Sequence, residues 1–318
     1  MRKYPTMIDP EKVEKILTQY YTFGRSYHGE THVLKMLDDL NMISELTREE
    51  RLRLELAILF HDAGTTEKES CGIFSEWFPN DPDTEIVCKL IMATRDHDYT
   101  GVDKLTKIIL DLDLAILRAP MIELLDYEHG IFKEYQRFSI DDYIKGRTEF
   151  LENIKGKIKV PHHLDELITY VKTRLYRIGI YPGSFNPFQS GHQDIVLKAE
   201  QIFDKVVIAR GINPDKTNKL LPMPRSLPNE MIEYSGLVTE LFPFNSLNIK
   251  KFFVRGLRNV YDIGYEENLR KTVYELNPRI EFVYFFCDYR LEHISSSMLR
   301  GMMNFPSAKE MLERHIIK

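Results

Sequence analysis

The stretch IGIYPGSFNPFQSGHQDIV, residues 178–196, decides how the second half of this 318-residue chain folds. An apolar, β-prone run is followed by a Pro-Gly-Ser loop, and a helical pattern begins at Gly191 and His192. A helix entered in this way presents free backbone N–H groups and the positive end of its dipole at the carboxyl edge of a sheet. The stretch therefore predicts an anion-binding site. It contains neither GxxxxGK[ST] nor GxGxxG, which argues against a P-loop and a dinucleotide fingerprint.

The spacing of apolar residues differs on the two sides of this stretch and predicts two domains. From Asp9 to about Arg174, apolar residues recur at helical spacing, and Thr47 with Glu50 forms a capping-box pattern. After Tyr176, short β-rich runs (YRIGIY, KVVIAR, KKFFVRG, IEFVYFF) alternate with helical ones, which is typical of a doubly wound parallel sheet. We therefore expect an all-α domain at 1–175, a turn at 159–163 before its last helix, and an α/β domain at 176–318.

The charge, the hydrophobic fraction and the cysteines limit the classes of protein to which the chain can belong. A net charge of −5 with 43% hydrophobic residues is typical of a soluble globular protein and argues against general nucleic-acid binding. The three cysteines form no CxxC pair, and no run of 18 apolar residues or apolar leader occurs. We expect a cytoplasmic protein without nucleic-acid or membrane partners.

The helical half carries a set of histidines and aspartates next to apolar segments. The set comprises His28, His32, His61, Asp62, His97, Asp111 and Asp113. The spacing of His28 and His32 would place both on one helical face if the helix starts that early. Helical bundles build sites for divalent ions from such mixed imidazole and carboxylate ligands, so the pattern predicts a metal site. The alternative is that each histidine is an isolated polar residue at a helix end.

These residues occur in motifs that resemble a known superfamily. YHGETH, LAILFHDAG, KES, ATRDH, LDLDLAILRAP, KEY and KGR, within residues 15–175, resemble the HD superfamily of metal-dependent phosphohydrolases. The resemblance implies an HD-type helical bundle that hydrolyses a small phosphorylated substrate with bound Mn, Fe, Co, Ni or Zn. It implies the metal ligands His32, His61, Asp62 and Asp113, with Asp111 open as an alternative to Asp113. His28 and His97 would lie close to the metal or to the substrate phosphate.

A second resemblance covers about residues 177–305. GSFNPFQSGHQDIVLKAEQIFDKVVIA, NPDK, FFVRGLRNVYDIGYE and EHISSSMLR resemble the HxGH nucleotidyltransferases, and most closely the bacterial phosphopantetheine adenylyltransferases. The resemblance implies a Rossmann-like fold and adenylyl transfer from ATP, with Mg²⁺, to a phosphate monoester. With 4′-phosphopantetheine the products would be dephospho-CoA and pyrophosphate, a step of coenzyme A biosynthesis. No covalent intermediate is needed, because the acceptor phosphate attacks the α-phosphorus directly.

The same resemblance implies the roles of individual side chains. The implied catalytic set surrounds the reacting phosphates and comprises Ser184, His192, Lys216 and Arg258. Of these, His192 would act at the transition state, Lys216 would bridge the attacking and α-phosphates, and Arg258 would neutralise pyrophosphate. The implied ATP-binding set follows the motifs, with Glu266 beside the adenosine and the three serines on the β- and γ-phosphates: Gly183, Ser184, Phe185, Gly191, His192, Arg255, Gly256, Arg258, Glu266, Ser295, Ser296 and Ser297.

Several departures from the family pattern leave the acceptor open. Gln189 stands where His or Thr is usual, Asn186 replaces Asp, and Gly264 replaces Glu. The proline-rich segment between Lys216 and Tyr234 is too short for the long helix that the family has there. Nicotinamide or nicotinate mononucleotide is an alternative acceptor. We expect a bifunctional, homo-oligomeric enzyme; the rivals are a nucleotide sensor whose degenerate transferase gates the HD domain, and an HD domain that only supports oligomerisation.

Overall fold

A computed structural model describes residues 4, 6–21, 24–158, 163–212, 220–243 and 247–318. The chain divides into two compact units, Met1–Tyr135 with Ile140–Lys172, and Gln136–Ser139 with Thr173–Lys318. Most of the KVPHH turn and the whole NPDK motif with Lys216 lie outside the described residues. No helix within the described ranges is long and apolar enough to cross a membrane.

The described part of the first unit is helical. Its helices are α1 (Pro10–Tyr20), α2 (Glu30–Asn41), α3 (Arg48–Phe60), α4 (Glu67–Trp77), α5 (Thr84–Ala93), α6 (Lys104–Asp113), α7 (Met121–Glu134), α8 (Ile140–Lys157) and α9 (His163–Thr173). A 3₁₀ helix, Leu114–Arg118, joins α6 to α7. The prediction that this half is helical is confirmed, but the periodicity of its apolar residues did not predict α4 or α7.

Helix α3 is the centre of the first unit. It packs against α1, α2, α4, α5 and α6, and every residue from Leu54 to Phe60 is buried. A helix whose last two turns are buried on every side, with Glu55 the one charged residue among them, is stable only when neighbours cover every face. Its start is fixed by the predicted capping box, in which Glu50 N donates to Thr47 Oγ1 at 3.1 Å and Thr47 N donates to Glu50 Oε2 at 2.8 Å. The residues that follow α3, His61 and Asp62, are thereby held at the core.

The second unit is built on a parallel five-stranded sheet. Its strands are β1 (Tyr176–Gly183), β2 (Lys205–Gly211), β3 (Met231–Tyr234), β4 (Ile249–Leu257) and β5 (Glu281–Phe286), and its helices are α10 (Ser190–Ala199), α11 (Val260–Leu276), α12 (Ser296–Met302) and α13 (Lys309–His315). The strand order is β3-β2-β1-β4-β5. The predicted parallel α/β sheet is confirmed; β3 was not predicted, because MIEY is short and follows a proline-rich segment.

The strand order reverses between β1 and β4. From β1 the chain proceeds outwards through β2 and β3, then returns to pair β4 with the other side of β1, with Gly179 opposite Phe252. In open parallel sheets, ligands bind beyond the carboxyl ends of the strands at such a reversal. The loop after β1, which the opening motif forms, starts at this point.

A short segment from within the helical half belongs to the second unit. The buried Lys205 ammonium donates to the carbonyl oxygens of Gln136 and Phe138, the latter at 2.8 Å, and pairs with Glu230 at 3.2 Å. Burial lowers the pKa of Lys205, and Glu230 opposes that change. The hydrophobic pattern did not predict that residues 136–139 pack with this unit.

Gly179, in the middle of β1, gives a test of the packing. A Cβ at this position would lie 2.6 Å from Phe203 Cδ2 and 2.9 Å from Val254 Cγ2. We expect Gly179→Ala to destabilise the sheet by about 1–3 kcal/mol through overpacking. Hydrogen exchange of the β1 and β4 amides measures this free energy.

Gly264→Ala is the matched control, because a Cβ at this helical position in α11 meets no atom within 4 Å. We expect it to leave exchange unchanged or to stabilise α11 by up to about 1 kcal/mol. Equal protection of β1 in the wild type and in Gly179→Ala would contradict the described packing.

Candidate functional site

A cavity of about 300 Å³ lies at the carboxyl edge of the sheet, where the strand order reverses. Loops after β1, β4 and β5 and the start of α10 surround it. Its lining includes most of the residues that the motifs predicted: Gly183, Ser184, Phe185, Gly191, His192, Arg255, Gly256, Arg258, Glu266, Ser295 and Ser296. The structure therefore brings these residues together in one place. Ser297 does not line the cavity, and its hydroxyl accepts from Arg300 Nη2 at 3.0 Å.

The start of α10 fixes the orientation of His192. Gln189 is the N-cap, and its Oε1 accepts from Gly191 N at 2.5 Å. In return, Gln189 N donates to His192 Nδ1 at 3.3 Å. A neutral imidazole with Nδ1 as acceptor carries its proton on Nε2. The sequence departure at Gln189 therefore supplies a helix cap, and His192 is left with an Nε2–H donor.

Burial and charge keep His192 neutral. Its ring lies 5.0 Å from the Phe185 ring and 5.4 Å from the Phe188 ring, measured between centroids. Desolvation, aided by the Arg258 guanidinium, lowers the pKa of His192 to about 3. At neutral pH the side chain is therefore a hydrogen-bond donor without a positive charge.

Phe185 has an unusual backbone that shapes the loop. Its φ is 44°, in the left-handed region that costs a non-glycine residue about 1–2 kcal/mol. Its ring is buried, and a Cβ on Gly183 would lie 2.8 Å from ring atoms of Phe185. Only glycine therefore fits at 183 while the Phe185 ring packs against His192.

Two arginines follow each other along β4 and the loop after it, and they have different environments. Arg255 donates to Glu266 at 2.7 and 2.5 Å and to Pro182 O at 3.1 Å, so its donors tie α11 to the end of β1. Arg258 donates through Nε and Nη2 to Asp262, at 3.1 and 3.0 Å. Among the described residues Arg258 Nη1 has no partner, and the Arg258 side chain is partly exposed. Arg258 is therefore a cation that is available to an anion in the cavity.

The serine motif reaches the cavity from the other side. Ser295 caps α12 by accepting from Met298 N at 3.2 Å, which leaves its hydroxyl proton for another acceptor. Ser296 Oγ donates to Pro187 O at 2.9 Å, which joins this motif to the β1 loop. The cavity thus combines hydroxyl, imidazole and guanidinium donors, a set suited to phosphate oxygens.

The first unit holds a separate cluster of predicted residues. One ligand atom from each of His32, His61 and Asp62 lies within 4.8 Å of the other two. Asp113 Oδ1 lies 3.1 Å from His32 Nε2 and 3.7 Å from His61 Nε2, and Asp113 Oδ2 lies 2.9 Å from His97 Nε2. The structure therefore brings all four predicted ligands and His97 together.

The cluster has buried ligand atoms without a hydrogen bond of acceptable geometry. His61 Nδ1 donates to Ile58 O at 2.9 Å, so the other ring nitrogen faces the cluster. That nitrogen, Nε2, forms an ion pair with Asp62 Oδ2 at 2.9 Å, and among the described residues neither buried atom has a hydrogen bond of acceptable geometry. Burial opposes protonation of His61, but Asp62 and Asp113 outweigh it and raise the pKa of His61 to about 9. Buried imidazole and carboxylate atoms in a negative potential fit a divalent cation.

The condition under which His28 and His32 would share a helical face is not met. Helix α2 begins at Glu30 and is capped by Gly29, so His28 precedes the helix and does not share its face with His32. Glu134 instead positions His28, because its Oε2 lies 2.6 Å from His28 Nδ1 and its Oε1 accepts from His28 N at 2.9 Å. Asp111 faces elsewhere and accepts from Arg118 and Tyr99, at 2.8 and 3.2 Å.

Some residues of both sites were not predicted. Asp262 and Glu134 both hold a predicted residue in place. Asp262 stands four residues after Arg258, the spacing of an i,i+4 helical ion pair, and this signal could have revealed it. Glu134 lies inside the KEY motif, and the family resemblance implies no role for the individual residues of that motif. Tyr181 and Cys287 line the cavity only through the strand register, which no local pattern reveals.

Comparison with known proteins assigns the second unit to a family. A cytidylyltransferase-like family model matches residues 180–302. Phosphopantetheine adenylyltransferase from Clostridium tetani is 33% identical over 138 residues, which is 40% of this chain and 84% of that protein. The enzyme from Lacticaseibacillus casei is 34% identical over 140 residues, or 41% of this chain and 82% of that protein.

One solved structure that matches is described as a nicotinate-nucleotide adenylyltransferase from Vibrio parahaemolyticus. It is 15% identical with a TM-score of 0.30, and the match covers 45% of this chain and 88% of that chain. The family assignment rests on the sequence matches. Through its second unit, the chain belongs to the phosphopantetheine adenylyltransferase family of cytidylyltransferase-like proteins.

Proposed function

We propose that the second unit transfers the adenylyl group of ATP to 4′-phosphopantetheine and releases pyrophosphate. The observation that carries this proposal is the donor set of the cavity, His192, Arg258 and Ser295, at the strand reversal of an adenylyltransferase-family chain. The departure at Gln189 does not weaken it, since Gln189 caps α10 and orients His192. An active transferase is therefore preferred to a degenerate sensor.

In the proposed reaction an oxygen of the acceptor phosphate forms a bond to the α-phosphorus as the bond to the pyrophosphate oxygen breaks. His192 Nε2–H donates to an α-phosphate oxygen, and this bond strengthens as charge develops there. Arg258 neutralises the leaving pyrophosphate, and Ser295 donates to its oxygens. Mg²⁺ that accompanies ATP supplies positive charge to the phosphate groups. Lys216 keeps its proposed role between the attacking and α-phosphates on the basis of the family resemblance alone.

The acceptor is tested by pyrophosphate release with ATP and one of three acceptors: 4′-phosphopantetheine, nicotinamide mononucleotide or nicotinate mononucleotide. We expect turnover with 4′-phosphopantetheine alone. Turnover with a mononucleotide alone would replace the proposal with dinucleotide synthesis. Tight ATP binding without transfer to any of the three would favour the sensor.

His192→Ala tests the proposed transition-state contact. We expect adenylyl transfer to slow by about a hundredfold or more, the usual scale for losing one such donor, while ATP affinity changes by only a few fold. His293→Ala is the matched control, since His293 is exposed and does not line the cavity. Rates within a few fold for the two variants would rule out this role for His192.

For the first unit we propose a metal-dependent phosphohydrolase. His32, His61, Asp62 and Asp113 would hold the cation. The buried Nε2 of His61 and Oδ2 of Asp62 support this assignment, because they lie 2.9 Å apart and, among the described residues, have no hydrogen bond of acceptable geometry. A bound divalent cation lowers the pKa of a water ligand and stabilises phosphoryl oxygens. Ile58 O fixes the His61 ring, and His97 donates to Asp113 and holds its carboxylate in place. The substrate class is a small phosphate ester.

A pair of neighbouring aspartates tests the metal site. We expect Asp113→Asn to lose the bound metal and the metal-dependent hydrolysis of phosphate esters, because Asp113 contacts His32 and His97. Asp111→Asn should keep both within a few fold, since Asp111 pairs with Arg118. Metal analysis of the purified chains, followed by assays with Mn²⁺, Co²⁺ and Mg²⁺, measures the difference. Equal metal content in the two variants, or activity that survives a chelator, would contradict the proposal.

A further inference from the structure

Arg147 on α8 is a buried cation with an incomplete set of partners. The residue is 8% exposed, and its Nε donates to Glu128 Oε2 at 2.8 Å. The second oxygen of Glu128 accepts from the Tyr143 hydroxyl. Arg147 Nη2 is buried and, within the described residues, has no hydrogen-bond partner. A guanidinium donor left unpaired in the interior is costly, which raises the question of what it binds.

Arg147 lies beside the histidine and aspartate cluster. Its guanidinium carbon is 4.8 Å from the centroid of the Tyr127 ring and 5.3 Å from that of Phe150. On one side, the Phe150 ring is 6.0 Å from His97, which contacts Asp113. Arg147 is therefore one aromatic ring away from the cluster on this side.

The other side of Arg147 leads to the same cluster. The Tyr127 ring is 4.5 Å from the Tyr27 ring, which is 4.9 Å from His32. Two tyrosine rings therefore connect Arg147 to the cluster on this side.

The unpaired donor needs a route to a ligand. Phe150 and Tyr27 are only half-buried, whereas Arg147 is buried. Binding at the cluster would require one of these rings to change rotamer so that Nη2 reaches the bound molecule. Glu128 holds Nε and thereby limits how far the guanidinium must reorganise.

We propose that Arg147 binds the phosphoryl group of the substrate of the first unit, with Nη2 donating to a phosphate oxygen. This inference rests on the proposed phosphohydrolase function. Arg147 would supply positive charge and a directional donor to the bound phosphate. The ligand class is a phosphate monoester or inorganic phosphate, because a fixed guanidinium matches phosphate oxygens well.

The test uses the full chain loaded with Mn²⁺ and inorganic phosphate as the probe, without ATP. Mn²⁺ held at the cluster broadens the ³¹P resonance of phosphate bound beside it, which separates this site from the cavity of the second unit. Arg147→Met with Glu128→Gln removes the buried pair together, so neither charge is left alone. Lys145→Met is the matched control, because it removes a positive charge from an exposed position of the same helix.

We expect the double variant to bind Mn²⁺ like the wild type and to weaken phosphate about tenfold or more, with KM for a phosphate ester rising more than kcat falls. Lys145→Met should stay within threefold of the wild type, and Arg147→Lys should recover part of the affinity. Equal phosphate broadening in the double variant and the control would overturn the inference. A wild type that binds no Mn²⁺ would instead overturn the phosphohydrolase proposal.

Discussion

The hydrogen bond from Gln189 N to His192 Nδ1 is the contact on which the candidate transferase site depends. It occupies one ring nitrogen with a backbone donor, so the other nitrogen carries the proton at the cavity. Gln189 Oε1 satisfies the next backbone donor, Gly191 N, and so closes the first turn of α10. The packing of Phe185 and Phe188 on the ring then keeps it neutral. The preceding loop, the sheet reversal and Arg258 would complete the proposed phosphate site around this donor.

In the first unit, the Nδ1 atom of His61 makes the opposite kind of hydrogen bond to that of His192. His61 Nδ1 donates to Ile58 O, so the nitrogen that faces the cluster is the one left to act as a ligand. The difference lies in the backbone group that each ring meets, an N–H for His192 and a carbonyl for His61. In the two proposed sites, a helix start would thus orient a donor for phosphate, and a helix end would orient a ligand for a cation.

The sequence predicted the parts of both units that depend on local pattern. Periodicity and glycines predict the strand, loop and helix of residues 178–196. Periodicity and the capping residues predict α3 with its apolar end. The family resemblance led to most of the residues that line the cavity.

Features that depend on contacts far apart in sequence were not predicted. The pairing of His28 with Glu134, and of residues 136–138 with Lys205, joins positions more than 60 residues apart. Helix α2 starts at Glu30, after Gly29, although the spacing of its histidines suggested an earlier start. Such features are set by tertiary packing, which local propensity does not encode.

The candidate transferase site requires His192 to be a neutral imidazole with its proton on Nε2. The most direct measurement is ¹⁵N NMR of histidine-labelled full chain, with His192→Gln identifying the resonance. We expect the shifts of an Nε2–H tautomer that does not titrate between pH 8 and pH 5, since the pKa of His192 is lowered to about 3. A titration midpoint near 6.5, or a proton on Nδ1, would contradict the account.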